Sequence, residues 1–231
     1  MRIVVFGANG PTGRLLTGQA LAAGQHVAAV TRRPAEFPIT HEQLDVVEAD
    51  AHDARAVDRA VEGADVVLSA LGVPFTRKPV TIYSDGIRNI TAAMARHGVK
   101  RVVVVSSSAA EPHHHADGGF LLNRVFQPLI TATIGKTTYA DMRRMEEFLR
   151  GGDLDWTIMR PSGLFDAPGV TSYELREDQA PGVFTSRTDL AASLLEQATD
   201  TRFVRRAAAV TTSEGAPTLF QLLRREALKR D

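Results

Sequence analysis

Three glycines recur at every third residue near the start of the chain, in the stretch Gly7-Ala8-Asn9-Gly10-Pro11-Thr12-Gly13. Glycine permits tight turns and lets a ligand approach the backbone with no Cβ in the way. A helix that begins at such a turn directs free N–H groups and a positive partial charge at an anion. A plain turn would explain one glycine but not three in register. Because an apolar strand precedes it, the stretch predicts a binding loop for a dinucleotide pyrophosphate, formed by Gly7, Asn9, Gly10, Pro11, Thr12 and Gly13.

Two arginines, Arg32 and Arg33, follow the second apolar run of the chain. In proteins that bind NAD through such a loop, an acidic residue at this place accepts a hydrogen bond from the ribose 2′-OH. This chain has no acidic residue there before Glu36, and guanidinium groups are suited to a 2′-phosphate. We therefore predict that NADP is preferred over NAD. The alternative is that one or both arginines are solvated surface charges.

Apolar strands and amphipathic helices alternate through the first two thirds of the chain. The predicted strands span residues 3–6, 26–30, 44–48, 66–70, 101–106 and 156–160. The predicted helices span residues 13–23, 54–61, 85–97 and 138–150. Several of these strands are nearly continuous apolar runs, which is typical of parallel strands buried on both faces. The predicted fold class is therefore α/β, a Rossmann-type doubly wound parallel sheet, with a small substrate-side region in the C-terminal part.

The alternation breaks at residues 109–136, where proline, glycine and the run His113-His114-His115 stand among apolar residues. A long irregular stretch of this kind is often a lid or binding loop. The last third is less regular, with predicted helices at 189–197 and 218–230 and a strand at 205–212. We expect residues 1–231 to form one dinucleotide-binding domain, with residues 109–136 and 162–231 on the substrate side. No acidic cluster accompanies the histidines at metal-ligand spacing, so an exposed loop is favoured over a metal site.

Composition narrows the possible partners. The formal net charge is zero, which gives no electrostatic reason to expect binding to nucleic acid or to an anionic membrane. The chain has no cysteine, which removes disulfides, thiol nucleophiles and thiolate metal sites. No run approaches the ~18 apolar residues of a membrane span, and the first apolar run is too short for a signal peptide. We expect a cytoplasmic protein, a monomer or weak homodimer, that acts on a small-molecule acceptor.

Four further stretches carry motifs. Residues 66–72 read VVLSALG, residues 86–90 read GIRNI, residues 153–161 read DLDWTIMRP and residues 186–191 read SRTDLA. With the Gly-x-x-Gly-x-x-Gly loop, they resemble the short-chain dehydrogenase/reductase superfamily. Within it they are similar to the atypical NAD(P)H-binding branch that includes biliverdin reductase B, flavin reductases and NmrA-like proteins. The motifs span most of residues 1–195.

The resemblance implies further cofactor contacts. Asp50, followed by Ala51, resembles the aspartate that accepts from the adenine amino group, although an N-cap of the next helix is the alternative and is as plausible for Asp53. Ser107 lies at the position of the active-site serine of the family, where its hydroxyl would bond the nicotinamide amide or a substrate carbonyl. An ordinary run of serines at a strand end is the alternative. The remaining implied contacts are Ala70, Leu71, Gly72, Ser106 and Pro161.

The expected catalytic pair of the superfamily is incomplete. Most of its reductases carry Tyr-x-x-x-Lys, in which the tyrosine donates a proton and the lysine lowers its pKa. Here Tyr139 is followed at the fourth position by Arg143, and Lys136 lies on the wrong side. When this helix is aligned with the corresponding helix of the family, Tyr139 also falls one position away from the catalytic tyrosine. We therefore expect Tyr139 to be a wall residue of the site rather than its general acid, and Ser107 to be the better candidate.

Two functions are compatible with these residues. The first is an NADPH-dependent reductase that transfers hydride to a conjugated or aromatic acceptor such as a flavin, a quinone or a linear tetrapyrrole. Such acceptors need no side-chain acid, because the product anion is delocalised and solvent can supply the proton. The second is a non-catalytic NAD(P)-binding redox sensor or accessory protein of the NmrA-like type.

Overall fold

The structure, a computed structural model, describes residues 1–76, 78–111, 135–179 and 182–217. Five helices lie in these ranges: α1 Pro11–Ala22, α2 Ala54–Val61, α3 Ile82–His97, α4 Lys136–Arg150 and α5 Arg187–Glu196. The strands of the same ranges are β1 Arg2–Phe6, β2 His26–Thr31, β3 Leu44–Glu48, β4 Val66–Ser69, β5 Arg101–Val105, β6 Asp155–Pro161, β7 Gly163–Phe165, β8 Tyr173–Glu177, β9 Phe184–Ser186 and β10 Arg206–Thr212.

The main sheet has the strand order β3-β2-β1-β4-β5-β6-β10-β8, and all of its neighbours are parallel except β8, which pairs antiparallel with β10. The strands β7 and β9 form a separate parallel pair. The order reverses at β1, which lies between β2 and β4. In open sheets of this kind, ligands bind at the carboxyl ends of the strands beside the reversal. The predicted Rossmann-type fold class is confirmed.

Two apolar layers cover the two faces of the sheet. One contains residues of α2, α3 and α4, such as Val57, Ile90 and Met145. The other contains residues of α1 and α5, such as Leu16 and Leu194. Strands covered on both faces have little use for polar side chains, which is why β1, β4 and β5 are continuous apolar runs in the sequence.

Helix α3 begins at Ile82, earlier than the predicted residue 85, and the reason lies far away in the sequence. Asp141 of α4 is fully buried and accepts hydrogen bonds from the backbone N–H of Tyr83 at 2.9 Å and of Ser84 at 3.4 Å. The hydroxyl of Ser84 also bonds this carboxylate. The first N–H groups of a helix are usually capped by a side chain close by in the sequence. In α3, a side chain of another helix takes that role.

The other boundaries agree or differ by at most two residues, and three strands lack a sequence prediction. Helix α1 begins at Pro11, where a missing N–H costs nothing. The strands β7, β8 and β9 are short, and β8 is largely exposed, so they show no apolar run. The predicted helix 218–230 and most of residues 109–136, including His113 to His115, lie outside the described residues.

The part of the chain that the structure describes contains neither a membrane-spanning helix nor a cluster of metal-ligating side chains. None of its helices combines the length and the apolar character needed to cross a bilayer. In the same residues, no three side chains of the histidine, aspartate or glutamate type come together as metal ligands.

Candidate dinucleotide-binding and catalytic site

The glycine loop packs tightly between β1 and the end of β4. Gly7 has φ 74°, and a Cβ there would lie 2.5 Å from the carbonyl oxygen of Ala70. A Cβ on Gly13 would lie 2.1 Å from the carbonyl oxygen of Gly7. Gly10 is less confined, because its Cβ would meet only the Gly7 oxygen, at 3.3 Å. Gly7 and Gly13 are therefore required by the packing of the loop itself, whereas Gly10 leaves space toward a ligand.

The first turn of α1 is prepared for an anion. Its N-cap is Gly10, no side chain caps it, Pro11 occupies the start, and no acidic residue lies in the turn. The backbone N–H groups of such a turn are available to phosphate oxygens, and the helix dipole adds to the attraction. The loop and the helix start thus fit the pyrophosphate of a dinucleotide.

Sequence reasoning missed a cation at this loop. The guanidinium of Arg14, an exposed residue, donates two hydrogen bonds to Oδ1 of Asn9, at 2.9 and 2.7 Å. This contact holds the positive charge of Arg14 beside the glycine turn. The available signal was the position of an arginine directly after the third glycine.

The two arginines after β2 differ in their surroundings. Arg33 forms an ion pair with Glu36 at 3.0 Å, and its side chain is 67% exposed. Arg32 is exposed and has no ion pair with the residues that the structure describes, but its charge contributes to lowering the pKa of Asp50. Arg32 is therefore the better candidate for a 2′-phosphate.

Asp50 and Ala51 lie on the adenine side of the reversal. A hydrogen bond from the backbone N–H of His52 is the main cause that holds the pKa of Asp50 below its usual value. Asp53, not Asp50, caps α2, because its carboxylate accepts from the N–H groups of Arg55 and Ala56. The capping alternative for Asp50 is thus removed. Its Oδ1 contacts both the N–H and the ring Nδ1 of His52, and its side chain is 41% exposed, so Oδ2 is the oxygen that could accept from an adenine amino group.

Helix α3 packs against the segment that follows β4. The backbone N–H of Ala70 donates to the carbonyl of Phe6 at 2.9 Å, which continues the pairing of β4 with β1. A Cβ on Gly86 would lie 3.3 Å from side-chain atoms of both Ala51 and Leu71. The missing side chain at Gly86 therefore lets α3 support both cofactor segments. Gly72, next in the chain, is exposed.

The serines at the end of β5 point to different partners. The hydroxyl of Ser106 is buried and donates to Oε1 of Glu146 at 2.6 Å. The side chain of Ser107 instead accepts from the N–H of Ala109 at 3.2 Å and lies near the phenol of Tyr139. Ser107 is half-buried, so its side chain is the more accessible of the two. Ser106, which was expected to contact the cofactor, has its hydroxyl committed to Glu146.

Tyr139 of α4 lies beside Ser107, and only 9% of the residue is exposed. Burial raises the pKa of its phenol, although the neighbouring Ser107 hydroxyl acts in the opposite direction. The phenol is therefore protonated at neutral pH. One turn along the helix, the position of the family lysine is occupied by Arg143. Its guanidinium donates to the carbonyl oxygen of Ala110 at 3.1 Å.

A buried ionic network supports this end of β5. Arg160 at the end of β6 is 3% exposed and forms ion pairs with Glu146 and with Glu111, the latter at 2.6 Å. Glu146 also receives the Ser106 hydroxyl. Pro161 follows Arg160 at the same edge of the sheet and is buried. The network fixes β5, β6 and α4 relative to one another, which fixes Ser107 and Tyr139. No pattern in the sequence indicates the pairing of Glu146 with Arg160.

Asp189 organises the C-terminal side of the site. It is fully buried and accepts from the N–H and hydroxyl of Thr171, at 2.7 and 2.8 Å, and from the hydroxyl of Thr212 at 2.6 Å. Its own N–H donates to Ser186, the N-cap of α5. Burial raises the pKa of Asp189, but these hydrogen bonds outweigh it and leave the pKa below its usual value.

Comparison with known proteins adds to this geometry. A family model described as NAD(P)H-binding matches residues 7–201. A (4-alkanoyl-5-oxo-2,5-dihydrofuran-3-yl)methyl phosphate reductase from Streptomyces griseus is 28% identical over 220 residues, covering 92% of this chain and 68% of that protein. An uncharacterized protein from Mycobacterium tuberculosis is 41% identical over 104 residues, which is 45% of this chain. That match spans only 12% of the length of the mycobacterial relatives.

Solved structures share the fold. A short-chain dehydrogenase/reductase from Veillonella parvula in complex with NADP has a TM-score of 0.75 and 23% identity, and the match covers 92% of this chain and 95% of that chain. An anaerobillin reductase from Escherichia coli O157:H7 has a TM-score of 0.72 and 21% identity, with 94% and 100% covered. At these identities the likeness concerns the fold.

Proposed function

Because this chain belongs to the NAD(P)H-binding family, which it matches over residues 7–201, we propose that it is an NADPH-dependent reductase. Its acceptor is a conjugated or aromatic molecule of the flavin, quinone or tetrapyrrole-like kind. The observation that carries the proposal is the placement of the buried Tyr139 phenol beside Ser107 at the end of β5, at the same sheet edge as the glycine loop. A family member that only stored a dinucleotide would have no need of this pair.

Three groups of atoms would hold the cofactor. The N–H groups of the first turn of α1, together with Arg14, would bind the pyrophosphate. Arg32 would bind the 2′-phosphate, which is the reason for choosing NADPH over NADH. Asp50 would accept from the adenine amino group. Bound NADPH would supply a hydride.

The role of Ser107 and Tyr139 is to orient the acceptor and to hold a proton beside it. Since burial raises the pKa of the phenol, Tyr139 stays protonated, and its O–H and the Ser107 hydroxyl can both donate to an acceptor oxygen or nitrogen. Arg143 carries a positive charge as the family lysine does, but its guanidinium donates to the carbonyl oxygen of Ala110. The pair therefore positions more than it protonates, which suits acceptors whose reduced form is a delocalised anion.

The relatives support the reductase class. The Streptomyces griseus relative, which matches most of this chain, is named a reductase, and so is the Escherichia coli protein that shares the fold. The neighbour from Veillonella parvula is a complex with NADP. These names support hydride transfer as the activity and leave the choice of acceptor to this chain's own residues.

The experiment that tests the proposal is a steady-state assay of NADPH oxidation against riboflavin, menadione, biliverdin and a redox dye. We expect acceptor-dependent oxidation with at least one of them, and a higher kcat/KM for NADPH than for NADH. Oxidation of neither nucleotide with any acceptor would contradict the proposal.

A second function, a non-catalytic NAD(P)-binding sensor, is favoured by one observation. Tyr139 is buried, and Arg143 at the position of the family lysine is tied to the carbonyl of Ala110. A site of this kind can bind a dinucleotide without turnover. Tight NADPH binding together with no oxidation in the assay above identifies this second function.

A further inference from the structure

Phe75 is an exposed aromatic residue next to the candidate site. It is 52% exposed and lies in the segment that follows β4. The other large apolar residues that the structure describes as exposed are aliphatic: Met1, Val46, Leu164 and Val170. A phenyl ring that is half in water forgoes part of the apolar burial open to it. An exposed ring at a binding edge is therefore a candidate contact for a ligand.

The ring of Phe75 contacts the ring of Tyr139. Their centroids are 5.8 Å apart and their planes meet at 61°, an edge-to-face arrangement. The phenol of Tyr139 in turn lies beside Ser107. Phe75 thus lies one ring away from the hydroxyl pair that would orient an acceptor, and the edge contact with Tyr139 leaves much of the phenyl ring uncovered.

The segment that carries Phe75 is held on both sides. Before it, Val73 packs against the apolar core that contains Tyr83. After it, the hydroxyl of Thr137 donates to the carbonyl oxygen of Thr76 at 3.0 Å. Tyr83 is itself buried at the start of α3, and Thr137 lies in the first turn of α4. These contacts hold the ring in place before any ligand arrives, which lowers the entropy cost of binding.

We propose that Phe75 is the specificity-determining residue of the acceptor site. Its ring would stack against the planar conjugated ring system of the acceptor. The inference rests on the proposed function, since it concerns the acceptor of the same reaction. A phenyl group offers a flat apolar surface and no hydrogen bond. It therefore favours a fused aromatic ring, such as an isoalloxazine or a naphthoquinone, over a small aliphatic carbonyl compound.

The experiment is an equilibrium titration of riboflavin, followed by its fluorescence, in the presence of saturating NADP⁺. Riboflavin has the isoalloxazine ring without a phosphate, so the anion site at the glycine loop does not contribute. We expect quenching by the wild type, a loss of affinity of about tenfold in Phe75→Ala, and retention in Phe75→Trp. The matched control is Val46→Ala, an exposed apolar residue on β3, at the far edge of the sheet, which should leave riboflavin affinity unchanged.

A riboflavin affinity in Phe75→Ala within about twofold of wild type would overturn the inference, and so would absence of riboflavin binding to the wild type. Binding of NADP⁺ must be equal in all variants, which separates a local effect from misfolding. Failure of the proposed function looks different, because riboflavin would then bind through Phe75 while NADPH is not oxidised. If Phe75→Ala oxidises NADPH at the wild-type rate, the proposed function would stand and this inference alone would be overturned.

Discussion

The hydroxyl of Ser107 lies beside the buried phenol of Tyr139 and acts to lower its pKa, so that α4 and the end of β5 meet at two groups able to orient a substrate. The buried pair of Glu146 and Arg160 fixes the same two elements a few residues away. Because Arg143 replaces the usual lysine, the pair is arranged for positioning, with a phenol that stays protonated.

Replacement of these two residues should have unequal effects on turnover. Tyr139→Phe removes one hydroxyl, yet we expect activity with the best acceptor to stay within about tenfold of wild type, because a true general acid contributes about 10²–10⁴-fold. Ser107→Ala should reduce kcat/KM more, since it removes the hydroxyl nearest the strand and the partner of Tyr139. Steady-state NADPH oxidation measures both. A loss of several hundredfold in Tyr139→Phe, with NADPH binding intact, would show that Tyr139 is the general acid.

Coenzyme preference should depend on Arg32 more than on Arg33. Arg33 is occupied by Glu36, whereas Arg32 has no ion pair with the described residues. We expect Arg32→Ala to weaken NADPH binding by about tenfold or more and to leave NADH binding almost unchanged, because a charged hydrogen bond contributes about 1.5–3 kcal/mol. Arg33→Ala is the matched control with a smaller effect. Equal binding of NADH and NADPH by the wild type would refute the assignment.

The glycines of the loop should separate folding from binding. Gly10 has extended backbone angles, and its Cβ would meet only the Gly7 oxygen at 3.3 Å. We expect Gly10→Val to fold but to lose most NADPH affinity, because the branched side chain occupies the approach of the phosphates. Gly13→Ala should destabilise the fold by about 2 kcal/mol, because its Cβ would lie 2.1 Å from the same oxygen.

Thermal unfolding and NADPH titration of these variants measure the two effects. The control is Gly18→Ala in α1, where no atom lies within 4 Å of an added Cβ. Alanine in a helix is favoured over glycine by up to about 1 kcal/mol, so this variant should be as stable as wild type or more so. Unchanged NADPH binding by Gly10→Val would remove the loop from the cofactor site.

Acid stability should depend on Asp189. Its folded pKa is lowered, so its contribution is present above the unfolded pKa and is lost as the pH falls through the folded pKa. We expect Asp189→Asn to cost on the order of 2 kcal/mol at neutral pH, since an amide cannot accept every hydrogen bond from Thr171 and Thr212. Urea unfolding from pH 7 to about pH 3 should show the difference from wild type narrowing toward acid. A difference that stays constant with pH would contradict this account.

The parts of the fold that the sequence predicts are those with local causes. The apolar runs of β1, β4 and β5 and the glycines beside them follow from burial on two faces and from a close approach of backbone, which the residue types reveal directly. Asp53 was recognised as a possible cap, and it caps α2.

The parts that the sequence did not predict depend on residues far apart in the chain. Asp141 sets the start of α3 from another helix, and Glu146 meets Arg160 and Ser106 only after α4 has packed on the sheet. The contact of Tyr139 with Ser107 has the same origin, because the rotation of α4 is fixed by these buried partners. No local pattern carries that rotation.

The central claim is that hydride passes from NADPH to a conjugated acceptor held beside Ser107 and Tyr139. The most direct measurement is the oxidation rate of NADPH, deuterated at the transferred position, with riboflavin or menadione under single-turnover conditions. We expect oxidation that depends on the acceptor and is slower with the deuterated nucleotide than with ordinary NADPH. With either nucleotide, we expect Ser107→Ala to be slower than wild type. Tight binding of NADPH with no oxidation by any acceptor would contradict it.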